Sequence, residues 1–301
     1  MQDDRLHKAI VEHEVEGNNL RSKPSALILG QGAERLTRIE KFSTRLVFQT
    51  FASRALDRMC RWGLVNFGAR WVDVCTKNLR HIHGLERLPS MHDIGSFVLA
   101  TNHRSYFDLY VTSMVLIKAG LRNRMLYPVR SKFFYDNPLG LFVNGIMSFG
   151  SMYPPIFRER KRLALNRVGL QEIAWFMKNR DMCVGIHPEG TRNKNEDAYE
   201  LLPPQAGVGQ LIQSCRVPVI PAFINGLSND FPKQVGSNFS KKGEPIVLVF
   251  GEPLDFSEHY EKKGRPIQKE IARQTLEKIA ELGQEEKVIR AQLTNATAPV
   301  K

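Results

Sequence analysis

Short runs rich in Val, Ile and Phe occur at residues 96–101, 124–130, 182–186, 217–224 and 246–250. Each reads as a strand. Between several of them, near 106–119, 163–178 and 205–214, apolar positions recur at helical spacing. Strand alternating with helix predicts an α/β domain: a mostly buried central sheet flanked by helices. The run 217–224, VPVIPAFI, is interrupted by Pro218 and Pro221. Proline cannot donate to a ladder, so this run is expected at a sheet edge or along an apolar channel. Residues 265–292 place Ile267, Ile271, Leu276, Ile279 and Leu282 at helical spacing. They predict a C-terminal helix within a closing segment, 258–301.

The N-terminal part has another character. Residues 1–32 are polar and weakly patterned and are expected to form a loose tail. Residues 33–78 lack proline, carry apolar clusters such as Leu46, Val47, Phe48 and Phe51, and predict a helical segment ahead of a main domain at 79–257. Arg54, Arg58 and Arg61 recur at i, i+4 and i+7 and share one helix face. With Trp62 and Trp71 nearby, this suits either a helix lying in a membrane interface or an amphipathic helix capping the domain. No stretch approaches 18 uninterrupted apolar residues, so no transmembrane helix is expected. The start, Met1-Gln2-Asp3-Asp4-Arg5, has no apolar core of a signal peptide.

Charge narrows the choice of partner. Over 301 residues the formal net charge is +12, and the pI is near 9.6. This favours a polyanion: nucleic acid, an anionic membrane surface or a phosphorylated substrate. The excess is local, with ten Lys or Arg and only Asp136 and Glu159 as acids between Lys118 and Arg167. No nucleic-acid motif accompanies it, so no nucleic-acid partner is expected. Cys60, Cys75, Cys183 and Cys215 show no zinc spacing, which reads as reduced thiols in a cytosolic compartment.

The candidate chemistry lies in four stretches. Asn102-His103-Arg104-Ser105-Tyr106-Phe107-Asp108 stands between an apolar run and a helical one. If His103 precedes the helix and Asp108 starts it, the carboxylate can hold one imidazole nitrogen and leave the other as a general base. Ser105 is placed to cap that helix. No G-x-S-x-G elbow is present, so the nucleophile is expected to be a substrate hydroxyl. Pro188-Glu189-Gly190-Thr191-Arg192 ends another apolar run, where α/β folds place their sites. Gly190 permits a tight turn, and Arg192 offers a planar fork for phosphate. Arg158 follows the stiff Tyr153-Pro154-Pro155-Ile156-Phe157, and Pro221 lies in the fourth stretch.

In this order and spacing, these stretches resemble the glycerolipid acyltransferase family, of the 1-acylglycerol-3-phosphate type. Asn102, His103 and Asp108 match its N-H-x-x-x-x-D motif. Pro188 to Arg192 match its E-G-T-R motif, and Val217 to Pro221 its V-P-[VI]-[VI]-P motif. Pro155 to Arg160 match the remaining motif in part, with Arg158 or Arg160 as its arginine, and the lysine common before the helix glycine is missing at Pro204-Gln205-Ala206-Gly207. The resemblance covers roughly residues 80–255.

The resemblance implies that His103 is the general base and Asp108 its orienting partner. It implies that Arg158, Glu189, Gly190, Thr191 and Arg192 bind the substrate phosphate, and that Pro221 is structural or lines an acyl channel. The implied reaction moves a fatty acyl group from acyl-CoA or acyl-carrier protein to the hydroxyl of 1-acylglycerol-3-phosphate, giving phosphatidic acid. Glycerol 3-phosphate or another lysolipid is the alternative acceptor, since Arg104-Ser105-Tyr106 resembles enzymes that acylate glycerol 3-phosphate. No metal and no cofactor beyond the thioester co-substrate is expected. The implied setting is peripheral, on the cytoplasmic face of an anionic membrane.

Overall fold

The computed structural model of the chain describes residues 27–297. Its helices are α1 (Leu27–Gln31), α2 (Arg38–Ala52), α3 (Arg54–Gly63), α4 (Ala69–Thr76), α5 (Asp108–Lys118), α6 (Ser131–Phe134), α7 (Pro138–Met147), α8 (Leu163–Asn179), α9 (Ala206–Cys215), α10 (Phe231–Ser240) and α11 (Arg265–Thr297). Its strands are β1 (Arg80–His83), β2 (Phe97–Thr101), β3 (Arg124–Leu126), β4 (Val129–Arg130), β5 (Pro155–Ile156), β6 (Met182–Ile186), β7 (Val219–Asn225) and β8 (Ile246–Phe250). Two compact units emerge. One holds the described residues up to Cys60 together with Pro128–Trp175; the other holds Arg61–Tyr127 and the chain from Phe176 onward.

The second unit is built on a six-stranded sheet in the order β1-β8-β7-β2-β6-β3. β7, β2, β6 and β3 run parallel. β8 is antiparallel to β7 and parallel to β1. Every residue of β2, β6 and β8 is buried. Unbroken apolar runs, rather than alternating ones, are what a sheet covered on both faces selects. The expected α/β class with a buried central sheet is therefore the observed one.

The strand expected at the edge is not there. β7 lies inside the sheet, between β8 and β2. Two prolines are tolerated because of where their missing donors fall. Pro218 stands before β7 and still offers its carbonyl to Val98 N at 2.9 Å. The Pro221 carbonyl accepts from Gly251 N at 2.9 Å, beyond Phe250, the last residue of β8. The N–H and C=O of one strand residue point to the same side, so the donor that Pro221 lacks faces the end of that antiparallel ladder. The expected strand 124–130 also divides, into β3 and β4, in different units. Pro128 stands between them and cannot continue a ladder.

α11 packs on α9, β7 and β8. The helix crossing is close at Gly209, where an added Cβ would meet the Gln268 carbonyl oxygen at 1.7 Å. Only glycine permits that approach.

In the first unit, the expected tail at 1–32 lies mostly outside the described residues; its last part forms α1. Residues 33–78 form a broken series of helices, which belongs to the first unit up to Cys60 and to the second from Arg61 onward. Thr37 and Glu40 form a reciprocal capping box at the start of α2 (3.2 and 2.9 Å). Ser53 is extended and ends α2, and its Oγ accepts from Leu56 N at 3.4 Å to open α3. Between α3 and α4 the helix widens to a π-turn, Leu64–Gly68. Glu40 is buried and takes Ser131 Oγ at 2.7 Å and Arg162 Nη1 at 2.8 Å, so the charge is paired inside the unit.

Candidate active site

β2 and β6 are parallel neighbours, with Ala100 opposite Ile186. The segments leaving their carboxyl ends therefore start side by side, at the end where α/β sheets place their ligands. Asn102, fully buried, spends its amide on β7: Nδ2 donates to Ile224 O at 2.9 Å, and Oδ1 accepts from Ile224 N at 2.8 Å. That fixes the chain one residue before His103.

Asp108 is the first residue of α5 and is 1% exposed. Its Oδ2 accepts from Arg104 N at 2.8 Å and Ser105 N at 2.7 Å, and lies 3.2 Å from His103 Nδ1. An oxygen already accepting two main-chain N–H groups takes the third bond as an acceptor. Nδ1 thus carries the hydrogen, and the lone pair of the ring sits on Nε2. Ser105 does not cap α5. Its Oγ accepts from Phe107 N at 3.2 Å, one residue ahead of the helix, and so shapes the turn instead.

Burial pushes the Asp108 carboxyl up to about 7, against the Ser105 and Arg104 N–H groups that favour its ionised form. Burial, then the nearby Arg192 charge, pushes His103 down to about 4. The imidazole is neutral at pH 7, as a base must be.

The second segment is tied to the first by Glu189. One carboxylate oxygen accepts from His103 N at 2.7 Å, the other from Leu202 N at 2.8 Å. Asn193 N donates to His103 O at 2.7 Å. Both carboxylate oxygens are thus spent on main chain. Gly190 takes φ +67°, and a Cβ there would meet Gln205 Cγ at 2.6 Å, so the turn needs glycine. Thr191 is exposed beside it. Arg192 lies with its guanidinium 3.7 Å above the Tyr106 ring, and Nη2 donates to Tyr106 Oη at 2.7 Å. Tyr106 N in turn donates to Asn229 Oδ1 at 3.2 Å.

Of the residues expected from sequence, His103, Asp108, Glu189, Gly190, Thr191 and Arg192 come together in the second unit. Pro221 is in the same unit, inside β7. Arg158 is exposed and belongs to the first unit, two residues beyond β5.

Sequence reasoning missed two residues. His187 directly follows β6, and its ring stacks on His103 with centroids 3.7 Å apart and planes 6° apart. Its Nδ1 lies 3.1 Å from Thr101 O, 3.0 Å from Asn102 O and 3.1 Å from Thr101 Oγ1. Carbonyl oxygens only accept, so Nδ1 carries the hydrogen in this ring too. Tyr106, the partner of Arg192, is the other. The two motifs held both residues in plain view, but their pairing depends on which strands are neighbours.

His103, Asp108 and His187 present ligand atoms within 4.8 Å of one another, the span of a metal set. Their geometry does not suit one. A metal lies in the plane of each imidazole that binds it, and two rings stacked nearly parallel share no such point. The hydrogen on each Nδ1 also removes that nitrogen as a ligand.

The sequence family described as acyltransferase matches residues 79–225. Human 1-acyl-sn-glycerol-3-phosphate acyltransferase beta is 29% identical over 132 residues, 44% of this chain and 42% of its own. Mouse 1-acyl-sn-glycerol-3-phosphate acyltransferase alpha is 28% identical over 155 residues, 51% of this chain and 48% of its own. The chain thus spans less than half the length of these curated relatives. A crystal structure of the 1-acyl-sn-glycerophosphate acyltransferase PlsC from Thermotoga maritima aligns with 80% of this chain and 89% of its own, at a TM-score of 0.46 and 17% identity.

Proposed function

We propose that the protein moves a fatty acyl group from a thioester to the hydroxyl of 1-acylglycerol-3-phosphate, giving phosphatidic acid, a reading supported by the match of residues 79–225 to the acyltransferase family. The observation that carries this reading is the His103–Asp108 pair, with Nδ1 held by the carboxylate and Nε2 left as the basic nitrogen. Nε2 takes the proton of the acceptor hydroxyl while its oxygen attacks the thioester carbonyl carbon. The tetrahedral adduct collapses, the carbon–sulfur bond breaks, and the proton on Nε2 passes to the leaving thiolate. Asp108 stabilises the imidazolium in between. The protein needs no nucleophile of its own.

Arg192 supplies the planar fork for the acceptor phosphate, with Tyr106 holding it beside His103. Glu189 and Gly190 build the turn that presents Arg192 and Thr191. Arg158 is a second phosphate ligand in this reading, and Pro221 serves the sheet. The donor is acyl-CoA or acyl-carrier protein.

The setting we propose is the cytoplasmic face of an anionic membrane, held peripherally. Among the described residues, no helix is long and apolar enough to cross a membrane. In the first unit, Ile39, Phe42 and Leu46 stand at i, i+3 and i+7 on α2 and are 49%, 62% and 49% exposed. In the second, Trp62 and Phe67 are 60% and 56% exposed. Exposed aromatics, and the exposed Arg54 and Arg58 of α3, suit a lipid interface, and the four free cysteines suit a reducing compartment.

The test offers purified protein oleoyl-CoA or oleoyl-acyl-carrier protein, with 1-acylglycerol-3-phosphate, glycerol 3-phosphate or lysophosphatidylcholine as acceptor, and identifies the lipid formed. Phosphatidic acid from the first acceptor is the expected product. Acylation of another acceptor alone overturns the acceptor, and no product from any pairing overturns the reaction.

A further inference from the structure

We propose that His187 is a positioning residue for the His103 base: its ring is the wall that sets the plane in which Nε2 of His103 meets the acceptor. This rests on the acyl-transfer reading and adds a residue to it.

One hydrogen bond fixes an atom, not a plane. His103 is held by Asp108 at Nδ1, at a long 3.2 Å, and the Ser105 main chain also bonds its imidazole. Bonds at the ring edge leave its face unbraced, so the ring can still tilt and swing Nε2 sideways. Reaction needs the lone pair of Nε2 aimed at the hydroxyl, and displacement by 1 Å is enough to lower a rate about 100-fold. A second constraint has to act on the ring face, and the His187 ring, within 6° of parallel at 3.7 Å, does so.

That wall is itself anchored where the base is anchored. Nδ1 of His187 faces the Thr101 and Asn102 carbonyls and the Thr101 hydroxyl, all within two residues of His103. Both rings are thus referred to the same end of β2. Asn102, clamped to Ile224 on β7, holds that end in the sheet. Burial and the neighbouring His103 keep the His187 ring neutral, with its pKa down to about 3. It can therefore stay stacked when His103 takes up a proton, without like-charge repulsion.

Two variants separate the ring face from the anchoring bond. His187→Phe keeps a face and has no donor. His187→Asn keeps a donor where Nδ1 was and has no face. With oleoyl-CoA and 1-acylglycerol-3-phosphate, the expected kcat of H187F is within about threefold of wild type. That of H187N is lowered about tenfold or more, with KM for both substrates within about twofold in each. NMR relaxation of the imidazole ring carbons gives a readout that needs no substrate. The His103 ring should be rigid in wild type and H187F and mobile in H187N, with the Nδ1–H tautomer set by Asp108 kept in all three. Wild-type kcat in H187N, or equal kcat losses in both variants, overturns the proposal. So does a mobile His103 ring in the wild-type protein, whether or not either variant folds. Absence of turnover with an ordered His103 ring would instead strike the acyl-transfer reading and leave the positioning intact.

Discussion

The competent base is defined by where two protons sit. Above pH about 7, Asp108 is ionised and His103 neutral, with a free lone pair on Nε2. As pH falls through about 7, the pair takes up one proton. On Asp108, that proton removes the anion that would stabilise the imidazolium. On His103, it removes the lone pair. Either placement disarms the base, so kcat/KM is expected to be flat above neutrality and to fall about tenfold per pH unit on the acid side. A second uptake follows near 4. The pH profile of kcat/KM checks this: a constant value down to pH 5 would refute the assignment. At this scale the sequence disclosed the pair through its five-residue spacing and the helix expected after it. His187 and Tyr106 were not legible, because the residues they touch lie 84 and 86 positions away along the chain, across the β2–β6 boundary.

Elements were legible where burial was uniform. β2, β6 and β8 are apolar throughout, and the runs that mark them stand out. β1 reads Arg-His-Ile-His and is half-buried along its length, so no apolar run marks it. α7, Pro-Leu-Gly-Leu-Phe-Val-Asn-Gly-Ile-Met, carries a proline and two glycines that argue against a helix. Yet its proline sits at the N-terminus, where no N–H is needed. β7 was misplaced at the edge because proline reads as a missing donor, and only the sheet order shows that the gap falls past the end of a ladder. The tightest element contact yields a prediction. Gly209→Ala drives a methyl into the Gln268 main chain on α11, so α9 and α11 must separate. The expected loss is about 1–3 kcal/mol of unfolding free energy by urea denaturation. A loss under about 0.5 kcal/mol would show that the two helices can part freely.

At the scale of the whole molecule, the proposed membrane surface draws on the net charge of +12 and on the exposed apolar residues. A Lys or Arg near an anionic bilayer contributes about 1 kcal/mol, and salt screens it. A buried Phe adds about 1.5–3 kcal/mol. Phe42→Asp is therefore expected to weaken sedimentation with phosphatidylserine vesicles about tenfold or more, with the melting temperature unchanged. Added salt should weaken wild-type binding further. Vesicle binding that ignores both changes would remove α2 from the interface. Composition narrows the proposed partner to a polyanion, since one sign of charge dominates fifty residues. The division into two units was not, because the first unit joins two distant stretches of chain.

The measurement closest to the centre of this account is acceptor-dependent CoA release by His103→Ala beside wild type, with matched melting temperatures. Removal of the base is expected to lower the rate at least about 100-fold. A His103→Ala rate within about tenfold of wild type would show that another group takes the proton, and that His103 is not the base.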